Sequence, residues 1–294
     1  MQTSGDLIQA EIVNDNWSEI ITPKANLFDI RIKGVWRYRD LLFLFVKRDF
    51  IAQYRQTILG PLWHIIQPIF TTVMFLIVFN RIAKISTDHL PAMLFYMSSI
   101  TIWNFFSGCL NNTSTTFTTN AGIFGKVYFP RLVLPLSTVM SNMIKFGVQF
   151  SLLLGFVVYY AITKQYTINI GWHTLLLPGI LFIMAALGLG LGIIISSLTT
   201  KYRDLNVLIT FGVQLLMYVT PVVYPLSFLE KSRYKNFIEW NPLSALVEGF
   251  RYSVFGEGSF NIFFFIYSIV FTLVALLIGV LLFGKVERTF MDTV

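Results

Sequence analysis

Residues 36–68 read WRYRDLLFLFVKRDFIAQYRQTILGPLWHIIQP, and the change of character inside this stretch decides what kind of protein the chain is. Its first half has the periodicity of an amphipathic helix. Phe43, Val46, Phe50 and Tyr54 recur at spacings of three and four, while Arg37, Asp40, Lys47, Arg48 and Arg55 gather on the other side. Such a helix suits a membrane interface, with rings in the lipid and cations along the headgroups. The same pattern fits a helix that only anchors the protein. At Leu59-Gly60-Pro61 the pattern breaks, because glycine permits unusual dihedrals and proline starts a new helix. Beyond Pro61 the chain is almost wholly apolar, so the stretch predicts a surface helix, a sharp elbow and a first membrane crossing.

Composition agrees. Of 294 residues, 55% are hydrophobic and only 13% charged, with a mean hydropathy of +0.67. Soluble domains carry roughly twice that charge. The fold class expected is an all-α polytopic membrane protein. The net charge of +7 points to anionic headgroups or a phosphorylated substrate rather than nucleic acid, since no basic tract with interleaved aromatics stands outside the apolar runs. Cys109 is alone, which excludes an intrachain disulfide and marks it as a packing residue. His64, His89 and His173 are far apart and show no metal-ligand spacing, so no metal is expected. The first twenty residues are polar and acidic and lack the basic-then-apolar order of a signal peptide, so the amino terminus is expected to stay in the cytoplasm.

Six spans are expected by the ~20-residue criterion: about 62–82, 92–110, 136–162, 175–198, 207–224 and 261–283. Lys145, inside the third, should face protein or snorkel. In the fourth, Gly188, Gly192 and Ser196 recur every four residues and present a smooth packing face. The run LGLGLG around them lacks the strand-turn-helix context of a nucleotide fingerprint. Between the fifth and sixth spans, residues 225–260 are too apolar for a free loop. Asn241-Pro242 is a helix start, and Leu243, Leu246, Val247 and Phe250 follow at helical spacing. Two short re-entrant helices are expected there, with an interfacial helix as the alternative. The placement of lysine and arginine favours both termini on the cytosolic side. The resulting division is an amino-terminal cytosolic extension (1–35), the interface helix (36–58), the six-span domain (59–286) and a cytosolic tail (287–294).

No phosphate-binding loop, catalytic triad, carboxylate pair or histidine cluster is present in the sequence. The chain reads as a conduit driven by something else, not as an enzyme. At this point three phrases matter: TILGPLW at the elbow, MYVTPVVYP closing the fifth span and NPLSALVEGFR in the segment after it. In that order they resemble the permease subunit of polysaccharide ABC exporters, which move O-antigen, capsule and teichoic acid chains. The resemblance covers about residues 41–286.

The resemblance implies a bacterial cytoplasmic (inner) membrane protein that forms a channel with a second copy of itself. It implies two separate cytosolic ATPase subunits, which would hold ATP and Mg, and no cofactor in this chain. The cargo implied is a glycan on a polyprenyl pyrophosphate lipid. Leu59 and Gly60 correspond to the family's loop near the pyrophosphate. By position, Lys126 and Tyr128 in one cytosolic loop, and Lys201, Tyr202, Arg203 and Asp204 in another, are the elements expected to couple to the ATPase. A solvated turn is the alternative for the second loop.

Independent chemistry adds two expectations. A pyrophosphate needs cations, and Arg48 and Arg55 beside the elbow are best placed, with headgroup snorkelling as the alternative. Sugars stack on aromatic rings. Trp63 and Phe70 in the first span, and Phe211 and Tyr218 in the fifth, each lie seven apart on one helix face and are expected to line the conduit. An interfacial aromatic belt is the competing account. A drug or small-molecule ABC permease and a membrane component of a glycan-assembly complex remain as alternative functions.

Overall fold

With so little charge to place in water, nearly every backbone group has to be satisfied within its own segment, and the chain answers with helices. The computed structural model describes residues 36–55, 57–124, 129–169, 171–199, 204–230 and 232–291. The helix α1 (Arg39–Tyr54) precedes the elbow. The helix α2 (Trp63–Phe75) is entered through a 3-10 turn, Gly60–Leu62, and leaves through a π-helical turn, Leu76–Ile82. Then come α3 (Ala92–Ser114), α4 (Val133–Ile162), α5 (Leu176–Thr199), α6 (Leu205–Val219), α7 (Pro242–Phe255) and α8 (Ile262–Met291).

The centre of the fold is α3. From Met93 to Phe106 it is buried at every residue except Asn104. It packs between α5 and α4, and α8 lies against the far side of α5. Glycines set the spacing. A methyl group at Gly188 would come within 2.7 Å of Cys109 Cβ, and one at Gly192 within 2.6 Å of Thr113 Cβ, so the predicted smooth face of α5 does receive a helix. Gly190, on another face, meets the Ala275–Leu276 backbone of α8, and Gly279 of α8 meets the Gly190 carbonyl in return. Cys109 is a free, buried packing residue. Two amide pairs join α3 to α4: Asn104 Nδ2 donates to Gln149 Oε1 at 3.2 Å, and Asn112 Nδ2 to Asn142 Oδ1 at 3.2 Å.

Among the described residues, five helical segments are long and apolar enough to cross a membrane: Gly60–Ile82, Ala92–Ser114, Val133–Ile162, Trp172–Thr199 and Ile262–Gly284. The stretch expected as the fifth of six spans is instead α6, with 15 residues. At 1.5 Å per residue that is about 22 Å, short of a ~30 Å hydrocarbon core. The helix stops because Thr220 turns extended (ψ 144) and Pro221 follows. The rest of TPVVYP continues as irregular backbone, and Thr220, Pro221, Val222, Val223 and Pro225 are all buried. After it, the short helices Leu226–Leu229 and Lys235–Glu239 lead into α7. As expected, Asn241 caps α7, accepting from Leu243 N at 3.1 Å, with Pro242 at the first position. Rather than lying on a surface, α7 packs against α8, α5 and α3.

Of the four residues that the sequence placed toward lipid on the interface helix, Val46 packs on protein instead. The protein-facing side of the helix is Leu42, Phe45 and Val46, which join Phe129, Val133 and Leu134 in a second core cluster. Phe43 stays exposed, and Phe50 stacks edge-on against Tyr54 at 4.6 Å. The helix is apolar around more than half its circumference. Periodicity alone therefore could not separate the side facing protein from the side left for lipid.

Candidate functional site

At the elbow, Gly60 has φ +48, a left-handed value that a β-carbon would strain. This lets Leu62 N donate to Leu59 O at 3.0 Å and turns the chain from α1 into the first span. Thr57 closes the end of α1, its amide and hydroxyl both donating to the Tyr54 carbonyl at 3.2 and 2.9 Å. The bend is thus fixed by local bonds. Ile58 at its tip is fully exposed.

Arg48 and Arg55, two turns apart on α1, line one open cavity of about 420 Å³ together with Ile51 and Ala52. Their surroundings differ. The Arg48 guanidinium donates to Asp49 Oδ1 from Nε (2.9 Å) and Nη2 (2.7 Å), donates to Asn120 Oδ1 at 3.2 Å, and lies 4.8 Å from the centre of the Phe45 ring. It is held in place and partly neutralised. The Arg55 side chain has no hydrogen bond or ion pair with any described residue, so its five donors face the cavity unspent. One positioned and one free guanidinium across such a space suit an anion with several oxygens. The helix and elbow thus bring Arg48 and Arg55 together, with Leu59 and Gly60 half-buried just beyond.

The residues expected in a conduit all stand on open faces. Trp63 (50% exposed) and Phe70 (68%) are on α2, and Phe211 (57%) and Tyr218 (51%) are on α6. The neighbouring Met74 and Ile77, and Val207, Leu208 and Leu215, are exposed on the same helices. Each pair belongs to an exposed, largely apolar helix face.

At the far end of α6 lies a feature that sequence reading missed. Glu248 and Arg251 of α7 are each only 2% exposed, and Arg251 Nη2 donates to Glu248 Oε1 at 2.9 Å. Arg251 also donates to the Pro221 carbonyl and sits 4.3 Å from the centre of the Phe95 ring on α3. Glu248 Oε1 accepts the Leu226 amide at 3.2 Å. Asn241 Nδ2 donates to Thr220 Oγ1 at 3.0 Å. One ion pair and one amide therefore hold both ends of the TPVVYP connection. The sequence reading gave neither charge a role. The signal that could have corrected this is two opposite charges three residues apart inside an apolar helix.

Of the residues expected to couple to an ATPase, Lys126, Tyr128, Lys201, Tyr202 and Arg203 lie outside the described residues. Asp204 is exposed and sits at the start of α6, its carbonyl accepting from Val207 N at 3.2 Å.

Comparison with known proteins places this architecture. The family model described as "ABC-2 type transporter" matches residues 40–255. The O-antigen export system permease protein RfbA of Klebsiella pneumoniae is 25% identical over 254 residues, covering 86% of this chain and 94% of the relative. A protein of the same name from Myxococcus xanthus is 26% identical over 221 residues, covering 75% and 82%. The polysialic acid transport protein KpsM of Escherichia coli is 25% identical over 267 residues, covering 86% and 95%.

Proposed function

We propose a role in polysaccharide export, starting from the premise that this chain belongs to the ABC-2 type transporter family. It is the channel-forming permease of an ATP-driven exporter that carries a lipid-linked glycan across the bacterial cytoplasmic membrane. Two copies form the passage. Two separate ATPase subunits dock from the cytosol, where both termini lie. The observation that carries the reading is the pair of exposed aromatic faces on α2 and α6. Aromatic rings hold the C–H faces of sugars weakly and without regard to sequence, which lets a chain slide. Relatives named for O-antigen and polysialic acid transport support the same cargo class.

On this reading the Arg48–Arg55 cavity takes the pyrophosphate at the reducing end of the glycan. Arg55 supplies free donors, and Arg48 is pre-set by Asp49 and Asn120. The elbow sets the height of that cavity relative to α2. The test is complementation: this chain, expressed with an ABC ATPase in a strain lacking its own O-antigen permease, should restore surface polysaccharide. Restored drug efflux with no surface glycan would favour a small-molecule exporter instead.

A further inference from the structure

Lys145 is the one charged residue between Arg131 and Lys164 and lies near the middle of α4. A lysine inside a spanning helix normally finds a carboxylate or a wet cavity. This one has no hydrogen bond or ion pair with any described residue. The carboxylate that acts on it is Asp49, which is paired with Arg48 at 2.7 Å. Lys145 is also within electrostatic range of His64, the second residue of α2, and of Cys109 on α3. Both α1 and α2 pack on α4, the helix that carries this amine.

Two more polar groups here are unspent. His64 Nε2 and the Tyr54 hydroxyl are buried without a hydrogen-bond partner, and their rings meet edge-on at 5.6 Å. Burial pushes the Tyr54 phenol above its ordinary value, so it remains a donor. Leaving such groups unsatisfied costs free energy unless something fills the site. A cation with two further hydrogen-bonding groups, and a neighbouring carboxylate already paired with Arg48, has the chemistry of an anion seat.

We propose that Lys145, His64 and Tyr54 form a second seat for a phosphate-bearing lipid headgroup, distinct from the Arg48–Arg55 cavity. The seat deepens the export reading and rests on it for the identity of the lipid. A headgroup held at Arg48 and Arg55 could pass to Lys145 without its charge being left in hydrocarbon. The shared chemistry is a lipid phosphate, which either the pyrophosphate carrier or a bulk phospholipid could supply.

The experiment uses the full chain with its ATPase partner in zwitterionic nanodiscs. It titrates undecaprenyl pyrophosphate in one arm and phosphatidylglycerol in the other, with ³¹P NMR and native mass spectrometry as readouts. Lys145→Gln should weaken binding roughly tenfold, and Lys145→Arg should stay within about twofold of wild type. In a Cys109→Ser background, Lys145→Cys should bind weakly until aminoethyl methanethiosulfonate restores the positive charge, a rescue that a packing role would not produce. A loss confined to the pyrophosphate lipid assigns the seat to the carrier, and a loss in both arms assigns it to phospholipid headgroups at large. Unchanged binding of both lipids by Lys145→Gln overturns the seat. Failure of the wild-type chain to bind the pyrophosphate lipid counts against the export reading alone, because the phospholipid arm still decides the seat.

Discussion

Removing the Glu248 carboxylate would strand a guanidinium that is 2% exposed beside an aromatic ring. Breaking one side of a buried pair costs about 3–5 kcal/mol. Glu248→Ala should therefore lower the thermal midpoint of the detergent-purified chain by many degrees. Glu248→Gln keeps an acceptor for the Leu226 amide and should fall between the two; equal melting of Glu248→Ala and wild type would show that the clamp holds nothing. The elbow arginines call for a different expectation. Arg55 makes no side-chain bond with any described residue, so Arg55→Ala should reduce export at unchanged protein level and stability. Arg48→Ala also releases Asp49 and Asn120 and should cost some stability in addition. Surface glycan measured against membrane-extracted protein separates the two effects. That Arg48 and Arg55 share one face was legible in the sequence, because seven residues make two helical turns. The Glu248–Arg251 pair was not, because composition treats any cation in a long connection as a solvent contact. Its burial depends on Phe95, Pro221 and Leu226, which are distant or irregular in the chain.

Among the elements, α5 was the easiest to read and α6 the hardest. The four-residue recurrence of Gly188 and Gly192 is a direct imprint of a neighbouring helix at close range, and α3 lies there. Gly192→Val should overpack that contact and cost about 1–3 kcal/mol. Gly147→Ala in α4, where nothing stands within 4 Å, should be neutral or stabilising by up to about 1 kcal/mol. Thermal melts of the two variants side by side check this, and equal losses would refute the close approach. For α6, hydropathy ran on through TPVVYP because that segment is as apolar as a span. Hydropathy does not register that Thr220 turns extended before Pro221, or that the backbone beyond is buried in protein. On α1 the sequence placed Phe43, Val46, Phe50 and Tyr54 toward lipid; Phe43 is exposed, whereas Val46 joins Leu42 and Phe45 in packing on protein. Here neighbouring elements decide what a helical wheel leaves open.

For the molecule as a whole, the exposed aromatic faces of α2 and α6 are the test of the conduit. Phe70→Ala with Tyr218→Ala, at matched protein level, should slow the appearance of surface glycan more than either change alone. Each lost ring removes roughly 0.5–1.5 kcal/mol of stacking, by analogy with aromatic pairs. Wild-type export from the double variant would assign both rings to lipid. Sidedness is checked by labelling: in a Cys109→Ser background, Lys235→Cys should react with an impermeant maleimide from outside and Asp204→Cys should not. The buried clamp also bears on how the molecule is made. Every group that holds Arg251 comes earlier in the chain: Phe95 in α3, the Pro221 carbonyl after α6, and Glu248 one turn before. Chains emerge amino end first. The arginine is thus synthesised into a receptor already complete, and its charge has no later partner to wait for. Among the described elements α8 comes next, and its Ser268 hydroxyl donates to the Pro242 carbonyl at 2.8 Å. The order of synthesis is also an order of assembly, in which this buried charge meets partners that are already made.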